Sequence, residues 1–111
     1  MVRVSSKHVD QLIAKYNIDT KVVSKDTLIY AIKVELEHGK RFGAITNIIH
    51  DDIELALRIV LAHLLEYSNY YTYLKQMETK LDTYWKGRPK KSIFIRPKKW
   101  WSKTIREPLA L

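Results

Sequence analysis

The chain has 111 residues, the length of one ordinary domain, and its 46% hydrophobic content predicts a folded protein and not a disordered one. It contains no cysteine, which excludes disulfide bonds and thiolate metal sites. The N-terminus lacks the apolar core of a signal peptide, and no apolar run approaches the roughly 18 residues of a membrane span. We therefore expect an intracellular protein that a signal peptide does not secrete.

The net charge of +8 is located entirely in the last third of the sequence. Residues 1–78 contain ten Lys or Arg and ten Asp or Glu, so their charges sum to zero. Residues 79–111 contain ten basic residues and two acidic ones, which gives 10 − 2 = +8. Such an asymmetry is typical of a basic interaction tail that follows a neutral domain.

Apolar residues recur at helical spacing in four segments. The pattern predicts helices over residues 6–17, 25–38, 51–67 and 69–86. Ser5 or Ser6 suits the N-cap of the first helix, and Gly39 predicts the end of the second. Asp51 and Asp52 precede the third, where carboxylates interact favourably with the positive end of a helix.

The third and fourth predicted helices carry the strongest apolar patterns. The third is apolar on most sides, which predicts that it is the central helix. The fourth has a seam with spacings of 4, 3, 4 and 3, typical of packing along another helix, formed by Tyr70, Leu74, Met77, Leu81 and Tyr84. The predicted fold class is all-α: a four-helix bundle-like domain over residues 1–87 and an extended basic C-terminal arm over residues 88–111.

Polar residues on the second and third helices form a candidate buried cluster. Glu35 and His63 fall within the apolar arcs of their helices, so each needs a polar partner in the interior. The cluster predicted from this pattern consists of Glu35, His38, His50, Asp51, Asp52, His63 and Glu66. A hydrogen-bonded structural role is the favoured interpretation.

Catalytic use is the least favoured interpretation of this cluster, and the other alternative is a metal site that uses Glu35, His38 and His63. It is less favoured because the second Glu/His pair runs in the reverse order and no pair of bridging carboxylates is evident. The sequence also lacks a nucleophile motif, a phosphate-binding glycine loop and a His-Glu-x-x-His zinc motif. We therefore expect a non-enzymatic protein with no catalytic residues, no metal and no cofactor.

Four clustered tyrosines could form a ligand or base-stacking platform. They are Tyr67, Tyr70, Tyr71 and Tyr73. Half-buried rings with a hydrated hydroxyl are the favoured interpretation, because tyrosines of this kind commonly combine apolar packing with a polar tip.

The arm combines cations with large aromatic side chains. Its candidate partner-binding residues are Arg88, Lys90, Lys91, Phe94, Arg96, Lys98, Lys99, Trp100, Trp101, Lys103 and Arg106. Cations attract phosphate groups and aromatic rings stack on bases, which indicates nucleic acid. Trp and Arg are also the commonest anchors of protein interfaces.

Several short motifs together resemble a known family. They are Glu35-Leu36-Glu37-His38-Gly39, Thr46-Asn47, His50-Asp51-Asp52, Ala62-His63-Leu64-x-Glu66 and Tyr70-Tyr71-x-x-Leu74-x-x-Met77-Glu78. The pattern is similar to that of a small helical family of unknown function, with members in bacteria, phages and large viruses. The resemblance covers about residues 7–78, implies an all-helical fold and says nothing about the arm.

The leading functional expectation is a structural or assembly component that docks onto a larger assembly, such as a virion, through the basic arm. Its partners would then be other protein subunits, with no membrane and no small-molecule substrate. Its expected location would be the cytoplasm or the virion. The first alternative is a nucleic-acid-binding accessory protein that uses the same arm. The second is a small metal-binding helical protein.

Overall fold

The computed structural model describes residues 3–91 and residue 93. Over this part of the chain the fold has four helices and no strand, so the predicted all-helical class is confirmed there. The helices are α1 (Ser6–Lys15), α2 (Lys25–Arg41), α3 (Ile53–Glu66) and α4 (Tyr70–Trp85). None of these described helices combines the length and the hydropathy needed to cross a membrane.

Short polar side chains define where the first three helices begin. The Ser5 hydroxyl accepts a hydrogen bond from the backbone N–H of His8 at 3.0 Å. The Ser24 hydroxyl accepts one from the Thr27 N–H at 3.1 Å, at the start of α2. Asp52 accepts one from the Leu55 N–H at 3.0 Å and caps α3. Each cap satisfies a backbone donor that has no partner within its own helix.

Helix α2 does not end at Gly39, as the sequence predicted, but continues to Arg41. The glycine is required by close packing. A Cβ atom at Gly39 would lie 3.3 Å from the Asn47 Oδ1 atom and 3.3 Å from the Ile49 Cβ atom. The absence of a side chain therefore lets the loop after α2 return closely along the helix.

Helix α3 begins later than predicted because two residues before it have left-handed backbone conformations. His50 has φ of 51° and Asp51 has φ of 61°, values that a right-handed helix cannot include. The Asn47 side chain stabilises this turn by accepting a hydrogen bond from the His50 N–H at 3.0 Å. The turn directs the chain from the end of α2 into α3.

The apolar core is formed by residues from all four helices and the two long loops. Its buried members are Val9, Leu12, Val23, Leu28, Ala31, Ile32, Leu36, Ile49, Ala56, Leu57, Val60 and Tyr71. The two largest helix–helix interfaces both involve α2, which packs against α1 and α3. Helix α2, and not α3 as predicted, is therefore central, and Leu65 of α3 is 89% exposed.

A polar contact at the surface connects the end of α1 to the start of α3. The Lys15 Nζ atom lies 2.6 Å from the Glu54 Oε2 atom. The Tyr16 hydroxyl donates a hydrogen bond to the same carboxylate. The hydrogen bond from Lys15, followed by that from Tyr16, lowers the pKa of Glu54 below its usual value of 4.5.

Leucines on α3 provide a matched test of the core. Leu57 is 1% exposed and Leu65 is 89% exposed, although both lie on the same helix. We expect Leu57→Ala to lower the free energy of unfolding by about 2–5 kcal/mol, because it leaves a cavity in the core. Leu65→Ala should change it by less than about 0.5 kcal/mol. Urea denaturation followed by circular dichroism measures both, and equal effects would contradict the described packing.

The Glu54 contact predicts a specific acid sensitivity. Its pKa is lower in the folded protein than in the unfolded chain, so its contribution to stability is present above pH 4.5 and is lost as pH falls through the lowered pKa. Between pH 4.5 and that lowered pKa, the wild type should therefore lose stability relative to Glu54→Gln, which does not titrate. Glu66→Gln is the control, because Glu66 forms none of the ion pairs in residues 3–91. Parallel pH profiles for the wild type and Glu54→Gln would contradict the assignment.

Candidate functional site

Three polar side chains from three different helices meet beneath α4. Tyr71 is 1% exposed, and its hydroxyl donates a hydrogen bond to the Glu35 Oε2 atom of α2 at 2.8 Å. The His63 Nδ1 atom of α3 lies 3.0 Å from the same hydroxyl oxygen. The Glu35 carboxylate and His63 are themselves 3.6 Å apart. We call this set the Glu35–Tyr71–His63 network.

The single proton of the Tyr71 hydroxyl determines the directions of the hydrogen bonds in the network. A tyrosine hydroxyl has one proton, and in this structure that proton is directed at the Glu35 carboxylate. The hydroxyl oxygen can then only accept from His63, so the Nδ1 atom carries a hydrogen. The contact therefore selects the tautomer of His63, or its protonated form.

Burial keeps the Tyr71 hydroxyl protonated. Removal of the ring from water raises the pKa of Tyr71 well above its usual range, and the hydrogen bond to Glu35 raises it further. A phenol held in this form donates a hydrogen bond but does not act as a base or nucleophile near neutral pH. The arrangement is chemically suited to holding helices together.

Aromatic packing encloses the imidazole of the network. The His63 ring stacks on the Tyr70 ring with a centroid distance of 4.3 Å and an interplanar angle of 5°. The Tyr71 ring meets the His63 ring edge-on at 5.9 Å. The side chain of His63 is 34% exposed and that of Glu35 is 12% exposed, so only the histidine is substantially open to solvent.

His38 does not join the network, although the sequence grouped it with Glu35. Its Nε2 atom lies 3.5 Å from the Glu78 Oε2 atom of α4. The contact provides a second polar link between α2 and α4, one helical turn from Glu35 along α2 and two turns from Tyr71 along α4.

The remaining members of the predicted buried cluster are at the surface. His50, Asp51, Asp52 and Glu66 are all exposed. The first two occupy the left-handed turn before α3, Asp52 is used as the helix cap, and Glu66 is the last residue of α3. The prediction that these four belong to the cluster is therefore wrong.

Within residues 3–91 and 93, no three His, Asp or Glu side chains are grouped so that they could hold a metal ion.

Sequence analysis placed Tyr71 among half-buried tyrosines with a hydrated hydroxyl and not in the buried cluster. That prediction is wrong for Tyr71, which is 1% exposed and whose hydroxyl hydrogen-bonds to Glu35. Of the predicted seam, Tyr70 and Leu74 pack against the core, whereas Met77, Leu81 and Tyr84 are 52%, 47% and 53% exposed. The side that faces the body carries Tyr71 and Glu78, through their contacts with α2 and α3. Residues 71, 74 and 78 have the 3 and 4 spacing of one helix face, which is the signal that could have identified this side.

The second half of α4 borders an open groove. The groove has a volume of about 760 Å³ and lies between α2 and α4. Its lining residues are Val34, Glu37, His38, Arg41, Glu78, Leu81, Asp82, Trp85, Lys90 and Lys91. We call this the α2–α4 groove. It combines apolar side chains with charges of both signs.

The predicted partner-binding residues are divided by the limit of the described structure. Arg88, Lys90 and Lys91 are exposed at the end of α4, and the Arg88 guanidinium lies 4.2 Å from the centre of the Tyr84 ring. The other eight lie outside the described residues: Phe94, Arg96, Lys98, Lys99, Trp100, Trp101, Lys103 and Arg106.

Comparison with known proteins identifies the family. Residues 9–80 match the family described as "Protein of unknown function (DUF5661)". The chain belongs to this family. The DUF5661 region contains the complete Glu35–Tyr71–His63 network and ends within α4, before the arm. No curated protein and no solved structure matches the chain.

The network predicts that the Tyr71 hydroxyl stabilises the fold. Tyr71→Phe keeps the ring but leaves Glu35 and His63 without their shared partner, so we expect a loss of about 1–3 kcal/mol in the free energy of unfolding. Tyr73→Phe is the matched control, because Tyr73 is on the same helix and is 63% exposed. Urea denaturation measures both. Negligible losses in the free energy of unfolding for both variants would show that the Tyr71 hydroxyl does not stabilise the fold.

Proposed function

We propose that the protein is a non-enzymatic structural or assembly component that docks onto a larger assembly through its C-terminal region. The observation that carries this proposal is the surface at the end of α4. There, Leu81 and Trp85 border the α2–α4 groove, and both remain accessible to solvent. Exposed cations follow immediately, at Lys86, Arg88 and Lys90.

The charge distribution supports the arm as the docking element. Residues 1–78 have zero net charge, whereas residues 79–111 have a net charge of +8. A neutral body offers a basic segment little electrostatic attraction, so a partner with an acidic surface suits it better. The three tryptophans of the chain all lie beyond residue 84, and tryptophan is a preferred anchor of protein interfaces.

In this proposal the chain consists of a bundle-like helical domain over residues 1–87 and a basic arm over residues 88–111. The partners are other protein subunits of the assembly, and a virion is one assembly that fits the proposal. The protein would then act in the cytoplasm or within such a particle. The buried polar contacts of the body serve stability, and the functional contacts lie at the C-terminal end.

A nucleic-acid-binding accessory protein is the second candidate function. The observation that favours it is the combination of exposed cations with an accessible aromatic pair. The Tyr84 and Trp85 rings are 5.3 Å apart and perpendicular, and Arg88 lies over Tyr84. Proteins that bind single strands use such cations and rings for phosphates and bases.

Removal of the arm tests the leading proposal. We expect the protein truncated after Gly87 to retain the circular dichroism of a helical domain, because the buried core residues of the described part of the chain lie between Val9 and Tyr71. It should no longer co-sediment with the large complexes of its source cells. A full-length Trp100→Ala/Trp101→Ala variant keeps every charge of the arm and shows whether apolar anchors are needed. A truncated domain that is folded and still co-sediments would contradict the proposal.

A salt titration separates the two candidate functions. Binding to a mixed-sequence oligonucleotide through six to ten phosphate contacts should weaken by roughly 10³–10⁵-fold between about 50 and 200 mM salt. Docking onto protein through tryptophan anchors should weaken much less over this range. Tight oligonucleotide binding with the steep salt dependence, accompanied by loss of co-sedimentation after nuclease treatment, would favour the nucleic-acid alternative.

A further inference from the structure

The exposed apolar surface of α4 has two distinct sides, and one of them faces away from the body. Tyr73, Met77 and Tyr84 lie about 200–240° around the helix from the buried Tyr71. They are 63%, 52% and 53% exposed. We call this line of residues the outer edge of α4. It is separate from the α2–α4 groove, which is bordered by Leu81 and Trp85.

One half of the outer edge contains a notch. The notch has a volume of about 380 Å³ and is lined by Tyr67, Asn69, Tyr70, Tyr73, Leu74 and Met77. Five of these six side chains are aromatic or aliphatic, and Asn69 is the exception. A large apolar side chain from another molecule would find packing partners on several sides there.

The other half of the outer edge presents a side chain of that kind. Tyr84 projects near the C-terminal end of α4, where its ring is supported edge-on by Trp85 and covered on one face by Arg88. Tyr84 follows Tyr73, in the wall of the notch, by eleven residues, or about 16 Å along the helix. The same edge thus carries both a notch and a projecting ring.

We propose that two copies of this chain pair along the outer edges of their α4 helices in antiparallel orientation. A two-fold axis across α4 near residues 78–79 brings Tyr84 of each copy to the notch of the other, because positions 73 and 84 are equally distant from it. Both notches are filled at once. In a parallel pair the projecting rings would face each other and both notches would remain empty.

The spacing of the apolar residues fits such a pair. Tyr73, Met77 and Tyr84 follow one another at intervals of 4 and 7, which keeps them on one face along the helix. Helix α4 has 16 residues, or about 24 Å, so its contact area is at the lower end of specific interfaces. The dimer should therefore be reversible, with a dissociation constant on the order of micromolar or weaker.

The antiparallel arrangement also predicts how the charge at position 80 affects pairing. Lys80 lies beside the outer edge and within two residues of the two-fold axis, so the two copies place their ammonium groups near each other. This like-charge contact weakens the pair at low salt. A mixture of wild type with the Lys80→Glu variant would replace it by an attractive contact in the mixed dimer, whereas either protein alone retains a like-charge pair.

Analytical ultracentrifugation of the full chain from roughly 5 to 500 µM tests the pairing around the expected affinity. The wild type should form dimers, and Met77→Asp should remain monomeric with an unchanged circular dichroism spectrum. Leu65→Asp, which changes an 89% exposed leucine on α3, should dimerise like the wild type. A monomeric wild type over the whole range, or equal dimerisation of the Met77→Asp and wild-type proteins, would overturn the proposal.

Two further samples distinguish the orientation and separate this inference from the proposed function. A one-to-one mixture of wild type and Lys80→Glu should contain mixed dimers as more than half of all dimers, and a purely statistical mixture would contradict antiparallel pairing.

The protein truncated after Gly87 should still dimerise, because the notch and Tyr84 precede the truncation. Loss of docking with retained dimerisation would support both proposals. Loss of dimerisation on truncation, with the helical spectrum retained, would contradict the pairing alone.

Discussion

A single hydroxyl group determines how the fourth helix is placed on the body. The Tyr71 hydroxyl is enclosed between a carboxylate of α2 and an imidazole of α3, and it hydrogen-bonds to both. A buried polar group without partners is costly, so the rotation of α4 about its axis is constrained to the position that satisfies Glu35 and His63. The His38–Glu78 contact, two turns along α4, supports the same rotation.

The exposed apolar surface of α4 follows from this polar constraint. With Tyr71 directed inward, the residues on the opposite side of the helix have no body to cover them. Hydrophobicity alone would have buried the seam that contains Met77 and Tyr84. The hydrogen bonds of Tyr71 instead leave Met77 and Tyr84 of that seam available to another molecule. In our proposals, the outer edge takes a second copy of the chain and the C-terminal end takes the assembly. Two arms on one dimer would then act together, which strengthens docking without any new type of contact.

The helices could be predicted from the sequence because their information is local. Apolar spacing and capping residues lie within each segment, and Ser5 and Asp52 cap α1 and α3 in the structure. The extension of α2 through Gly39 could not be predicted, since it depends on the close approach of Asn47 and Ile49 from the following loop. A glycine is equally suited to ending a helix and to allowing such contact.

The polar network, too, could be predicted from the sequence only in part. The helical wheel placed Glu35 and His63 within apolar arcs, and the structure brings them to 3.6 Å. The helical wheel did not identify Tyr71 as the residue that connects Glu35 and His63. The apolar stripe of α4 is stronger than the stripe that contains Tyr71 and Glu78. A choice between the two stripes requires knowing which polar groups the other helices present. That information is distributed over three segments of the chain and is not contained in any one of them.

A double-mutant cycle between Glu35 and Tyr71 tests the central claim most directly. The free energy of unfolding is measured by urea denaturation for the wild type, Glu35→Ala, Tyr71→Phe and the double variant. If the hydroxyl–carboxylate contact positions α4, each single change removes the same interaction, and the two losses should fail to add by about 1 kcal/mol or more. Losses that add to within about 0.3–0.5 kcal/mol would show that the two side chains are energetically independent, and would contradict the account.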